Sequence, residues 1–232
     1  SKKSFLYVIL FCFFIYLLFL SLNSLWKQNK IKIIIPSGHK GIVTSITFTP
    51  DSRILASSES NVVKFWDVST NKELFSYYGS DNNINAIAFT PDGNILGTGG
   101  EDKVIRLWDF KNRKEICFLI GHTSTINSLA FSPNSQLLAS GGMDLSVRLW
   151  DISNKKEIYS WKYEISIHDW QKDQRPLEPY IYSLAFSPDG SHILTGSWDG
   201  TAKIWSVLTL SETMTLPLQK AVGRGRDAIG VE

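Results

Sequence analysis

The chain has 232 residues, with 24 basic and 22 acidic side chains, a formal net charge of +2 and 43% apolar residues. That composition excludes a wholly disordered chain, and the near-balanced charge excludes nucleic-acid binding through bulk electrostatics. The two cysteines, Cys12 and Cys117, are too few for a disulfide scaffold. The first element is apolar: residues Phe5 to Leu22 read FLYVILFCFFIYLLFLSL and carry no charge. As a helix, at ~1.5 Å per residue, they span roughly 27 Å, enough for a thin bilayer core. Lys2 and Lys3 flank one side, Lys27, Lys30 and Lys32 the other, and Trp26 stands where an interfacial aromatic would. No pair of small residues suited to signal-peptide cleavage occurs between Leu20 and Ser24. Residues 1–27 therefore read as a single-pass membrane anchor better than as a signal peptide. A third reading is that they are not native protein: the chain lacks an initiator Met, and translated A/T-rich sequence yields such runs. The remainder would then be cytoplasmic.

After residue 28 the chain repeats itself. The segments ITFTPDSRILASSESNVVKFWD (46–67), IAFTPDGNILGTGGEDKVIRLWD (87–109), LAFSPNSQLLASGGMDLSVRLWD (129–151) and LAFSPDGSHILTGSWDGTAKIWS (184–206) align. The Phe recurs at Phe48, Phe89, Phe131 and Phe186, and the Trp at Trp66, Trp108, Trp150 and Trp205. The period is about 42 residues, with an insertion before the fourth unit. In each unit an F-[ST]-P-[DN]-[GS] stretch reads as a hairpin turn, because Pro fixes φ and Gly or Ser follows at the tight bend. Alternating runs on both sides, a third run ending at the Trp and a short fourth run make four strands per unit. One such sheet cannot bury both its faces, so the units must stack.

The unit resembles the WD40 repeat. Gly38-His39 and Gly121-His122 match its opening, and Trp66-Asp67, Trp108-Asp109 and Trp150-Asp151 match its close. The resemblance implies an all-β fold, a WD40-type β-propeller of four-stranded blades over residues 28–232, preceded by one hydrophobic helix. The units fall at about 38–77, 78–120, 121–161 and 181–216, with the insertion at 162–179. At that period about four to five blades are present, so the ring is expected to be incomplete within this sequence. Ile31 to Ile35, just before Gly38-His39, fits the outer strand that in this family completes the last blade.

The resemblance also implies a His–Ser/Thr–Trp–Asp hydrogen-bond network within each blade. The third unit has all four members: His122, Ser140, Trp150 and Asp144. The second has Thr98, Trp108 and Asp102 with Ser80 in place of His, and the fourth has Thr195, Trp205 and Asp199 without a His. The first has His39, Ser57 and Trp66, is one residue shorter and lacks the Asp. The third blade is thus expected to be the most rigid and the first the least. Because these residues recur with the repeat, they read as structure and not as a catalytic triad. Lys64, Arg106, Arg148 and Lys203 each stand two residues before a repeat Trp, on the same strand face. They read as aliphatic stems laid on the indole in preference to a basic stripe for an acidic partner.

Other chemistry is absent from the pattern. Gly97 to Lys103 resembles a phosphate loop, but a strand follows it where a P-loop needs a helix. His39, His122, His168 and His192 lack metal-ligand spacing, so no metal, cofactor or small-molecule substrate is assigned. Gly223 to Arg226 reads as a flexible loop more than as a phosphate or RNA contact. For partners, the insertion KYEISIHDWQKDQRPLEP stands out, with Trp170 and Arg175 of the types that dominate binding hot spots. Trp170 is either an exposed anchor or buried under a folded-back loop. The tips of the second bends, Glu101, Met143 and Trp198, are expected on the same face. The expected function is a non-catalytic protein or peptide interaction scaffold, held at a membrane through residues 5–22. The alternatives are a propeller enzyme with its site at the axial mouth, or a regulatory part of a longer protein.

Overall fold

The computed structural model describes residues 38–163 and 179–217. The apolar segment 5–22, Ile31 to Ile35, His168, Trp170, Arg175 and Gly223 to Arg226 lie outside the described residues. Among the described residues no helix is long and apolar enough to cross a membrane. They form four antiparallel four-stranded sheets, each in chain order, as expected of propeller blades. The first blade is β1 (Val43–Phe48), β2 (Ile54–Glu59), β3 (Val62–Asp67) and β4 (Lys72–Tyr78). The second is β5 (Ile84–Phe89), β6 (Ile95–Gly100), β7 (Val104–Asp109) and β8 (Lys114–Ile120). The third is β9 (Ile126–Phe131), β10 (Leu137–Gly142), β11 (Ser146–Asp151) and β12 (Lys156–Lys162). The fourth is β13 (Ile181–Phe186), β14 (His192–Ser197), β15 (Thr201–Ser206) and β16 (Ser211–Pro217).

Two turns per blade are dictated by local chemistry. In the F-[ST]-P-[DN] turn, Thr49 Oγ1 donates to Asp51 Oδ1 at 2.6 Å and accepts from Ile54 N–H at 3.1 Å. Thr90, Ser132 and Ser187 repeat this pattern with Asp92, Asn134 and Asp189. The residue immediately after that Asp or Asn turns left-handed: Ser52, Gly93, Ser135 and Gly190 have φ of 59°, 74°, 60° and 73°. That is why Gly or Ser is found there. The Asp of Trp-Asp closes the turn into the fourth strand. Asp67 accepts from Thr70 N–H, Asp109 from Asn112 N–H and Asp151 from Asn154 N–H, each at 2.8 Å. In the fourth blade Ser206 Oγ takes this place, accepting from Thr209 N–H at 3.1 Å. These bonds to the ionised form hold the Asp109 carboxyl below its usual range.

Each sheet buries its faces against the next. The first strands contact one another in sequence, β1 with β5, β5 with β9 and β9 with β13. Three apolar cores lie at these joints. Phe65, Val63 and Ala56 meet Ile87 and Phe89 in the first. Ile105 and Leu107 meet Leu129 and Phe131 in the second. Val147 and Leu149 meet Ile181 and Leu184 in the third. Fully burying one such side chain is worth about 1.5–3 kcal/mol, so the joints and not the single sheets hold the fold.

Candidate functional site

The third blade carries the full hydrogen-bond chain. His122 Nδ1 donates to Asp144 Oδ2 at 2.9 Å, and Ser140 Oγ donates to His122 Nε2 at 2.7 Å. Trp150 Nε1 donates to Ser140 Oγ at 2.8 Å. Asp144 also accepts from Thr123 N–H at 2.9 Å and from Ser146 Oγ at 2.6 Å. Burial opposes ionisation of Asp144, but the His122 bond and the other donors outweigh it and hold the carboxyl well below the usual range. Ser140 is fully buried and its oxygen is already engaged by the indole. No substrate can reach it, so these four residues are structural.

The first blade differs from the expectation. It lacks the Asp, but Glu59 replaces it. His39 Nδ1 donates to Glu59 Oε2 at 2.7 Å, Ser57 Oγ donates to His39 Nε2 at 2.7 Å, and Trp66 Nε1 donates to Ser57 Oγ at 2.7 Å. Lys40 N–H donates to Glu59 Oε1 at 2.8 Å, as Thr123 N–H does to Asp144. The bend between β2 and β3 is short, so the acid sits two residues after Ser57, and the extra methylene of Glu spans the difference. The expectation of an incomplete first blade is corrected.

The second and fourth blades solve the missing His differently. In the second, Ser80 Oγ donates to Asp102 Oδ2 at 2.7 Å, and Arg106 also binds that carboxylate. Thr98 Oγ1 accepts from Trp108 Nε1 at 3.2 Å and donates to Gly79 O at 2.7 Å. The acid is thereby separated from the Thr–Trp pair. In the fourth, the Tyr163 hydroxyl lies 2.5 Å from Thr195 Oγ1, which accepts from Trp205 Nε1 at 2.9 Å. Tyr163 therefore occupies the place of His, and β12 extends through Lys162, both within the stretch read as insertion. Burial pushes the Tyr163 phenol up to about 12, so it stays a neutral donor.

Three of the four basic residues are neutralised from the outer strands, and Arg106 mainly by Asp102 and by Asp81 at 2.7 Å. Lys64 Nζ pairs with Glu73 at 3.0 Å and Lys203 Nζ with Glu212 at 2.8 Å. Arg148 pairs with Glu157, and Arg106 Nε lies 3.8 Å from Glu115. Lys64 and Lys203 also stand 5.8 and 5.5 Å from their Trp ring centres. Pairs this exposed stabilise by about 1 kcal/mol or less. Their effect is to cancel the stripe as an acidic-partner site.

The loop-rich face is built from the bends between second and third strands. Glu101 N–H donates to Asn83 O at 2.9 Å, Met143 N–H to Thr125 O at 2.8 Å and Trp198 N–H to Tyr180 O at 2.9 Å. One backbone bond thus holds each tip beside the start of its own blade's first strand. Glu101 is exposed, Met143 half-buried and Trp198 57% exposed. The Trp198 ring lies against Tyr182, itself 45% exposed, with centroids 5.4 Å apart. Tyr182 escaped the sequence reading because the same position is Thr44, Asn85 or Asn127 in the other blades. Trp170 and Arg175 cannot be placed relative to it, being outside the described residues.

The sequence matches the model of the WD domain, G-beta repeat, over residues 30–67, 71–109, 113–151 and 174–206. The chain belongs to the WD40 family. This WD40 chain is 28% identical over 176 residues to the guanine nucleotide-binding protein subunit beta of Oryza sativa subsp. indica, covering 74% of the chain and 45% of that protein. It is 32% identical over 68 residues to the small ribosomal subunit protein RACK1 of Neurospora crassa, covering 28% of the chain and 22% of that protein. It is 34% identical over 85 residues to Protein HIR1 of Candida albicans, covering 29% of the chain and 9% of that protein. The WD40 chain spans less than half the length of these curated relatives.

Proposed function

We propose that this WD40 chain is a non-catalytic interaction scaffold that docks a protein or peptide segment on its loop-rich face. The observation that carries the reading is Trp198, an indole more than half exposed at a hydrogen-bonded turn and backed by the Tyr182 ring. A large aromatic held open on a fixed scaffold is a hot-spot residue in waiting. The family supports the reading, since one relative is named as a subunit and another as a protein of the small ribosomal subunit. Glu101 and Met143 share the face, and Trp170 and Arg175 of the insertion are assigned to it as well. Trp198→Ala combined with Trp170→Ala is expected to weaken partner capture in a pull-down by at least ~30-fold. Full retention of every partner by the double variant would place the interaction elsewhere.

The scaffold is further proposed to be held at a membrane by residues 5–22, whose 18 uncharged residues motivate the assignment. The full chain should float with lipid vesicles, whereas a chain starting at residue 28 should stay in the soluble fraction. Equal flotation of both would remove the anchor from the proposal.

A further inference from the structure

Each blade finishes in an outer strand, β4, β8, β12 or β16, that is paired on one side only. Such an edge leaves N–H and C=O groups unpaired at alternate residues, and proteins guard it with polar or charged side chains or proline. Three of the four edges follow that rule. The alternate residues are Leu74, Ser76 and Tyr78 on β4, Ile158, Ser160 and Lys162 on β12, and Thr213, Thr215 and Pro217 on β16. On β8 they are Ile116, Phe118 and Ile120, which are 38%, 59% and 69% exposed. From Ile116 to Ile120 this edge has neither a charge nor a proline.

The fold of the second blade does not use this row. Phe118 stands opposite Arg106 and Ile120 opposite Val104. Cys117 and Leu119, which point the other way, pack into the core shared with the third blade. Ile116, Phe118 and Ile120 belong to none of the cores among the described residues. The second blade has a described neighbour on each side, so the row stays open with both in place. The turn that enters β8 adds charge. Lys111, Arg113 and Lys114 are all exposed there. The acids beside them are engaged: Asp109 accepts from Asn112 N–H at 2.8 Å, and Glu115 lies 3.8 Å from Arg106.

We propose that β8 is a docking edge for an extended segment of a partner protein, which adds to the second blade as a fifth strand. The segment carries apolar side chains at alternate positions, beside Ile116, Phe118 and Ile120, and acidic side chains beside Lys111 and Lys114. Antiparallel addition, the more stable per residue, places the acids after the apolar positions. Main-chain bonds to the edge supply affinity, and the alternating side chains and the charge supply specificity. Two other occupants fit less well. The β8 of a second copy, paired antiparallel, would bring Ile120 and no acid to the basic end, and paired parallel it would set like charges together. A lipid surface would leave the N–H and C=O groups of the edge unpaired. The inference does not depend on the loop-rich face, because β8 stands on the second blade and Trp198 on the fourth.

The test is fluorescence anisotropy of the full chain in detergent solution with the labelled peptide TVTITVEDE. The wild type is expected to bind it, and three changes are each expected to weaken binding by roughly 10-fold or more. The first is N-methylation of the peptide amides that face β8. The second replaces the acidic EDE end with KRK. The third is the double variant Phe118→Ser plus Ile120→Lys, which copies Ser160 and Lys162 of β12. Because the third blade already carries those residues, the variant should keep the wild-type circular dichroism spectrum, which separates lost docking from misfolding. A wild type that ignores the peptide overturns the proposal. So does an N-methylated peptide that binds as well as its parent, or a double variant that binds as well as the wild type. A dimer of the full chain that the double variant dissolves, with no peptide bound, assigns the edge to a second copy and overturns it too.

Discussion

Trp150→Ala is expected to lower the unfolding free energy by about 3–5 kcal/mol, the range for emptying a buried aromatic site. The indole is almost wholly buried in the core between the second and third blades, beside Leu129 and Leu138. Its loss would leave a cavity there. It would also remove the donor to Ser140 Oγ, on which the His122–Asp144 chain ends. Total stability of a domain is of order 5–15 kcal/mol, so this single change could consume much of it. Trp150→Phe separates the two effects, because it keeps most of the volume and loses the N–H, for which about 1–2 kcal/mol is expected. Urea unfolding followed by circular dichroism measures both. An alanine variant within about 1 kcal/mol of wild type would show that the joint repacks and that the indole is not its centre.

Gly100→Ala is expected to cost about 3 kcal/mol or more, at the upper end for overpacking, because the wall it meets is backbone. A Cβ there would stand 1.9 Å from Asn83 O and 2.9 Å from Ile84 Cα. That carbonyl also accepts the Glu101 N–H bond that sets the loop tip. The chain must therefore move where β5 begins, in a pairing that is already irregular between Ile84 and Ala86. Gly196→Ala is the control, since a Cβ there meets nothing within 4 Å. Equal thermal stability of the two variants would show that the β5 entry is soft and the close approach unimportant.

Much of the fold was legible because the repeat writes its turns in residues that few other conformations need. The left-handed positions after Asp51, Asp92, Asn134 and Asp189 demand Gly or a small polar residue, and they recur in register with the Phe and Trp. Glu59 was not legible. Its role depends on a shortened bend, and matching by repeat position sets it opposite Gly100 and Gly142, not opposite an acid. Tyr163 was hidden because the stretch around it departs from the repeat, whereas its function is set by the blade it plugs. The Glu73, Glu115, Glu157 and Glu212 partners were visible as fourth-strand residues. Their pairing with the basic stripe depends on cross-strand register, which shifts at a bulge next to each repeat Trp. Tyr182 was missed because its neighbour Trp198 is close in the sheet and not in the repeat pattern.

The nearest-neighbour pattern of the joints has a consequence for motion. Among the described residues the second and third blades each pack against two neighbours. Opening either one breaks two joints at once, so motion that bares their faces is costly, and a change in the third blade is felt in both the second and the fourth.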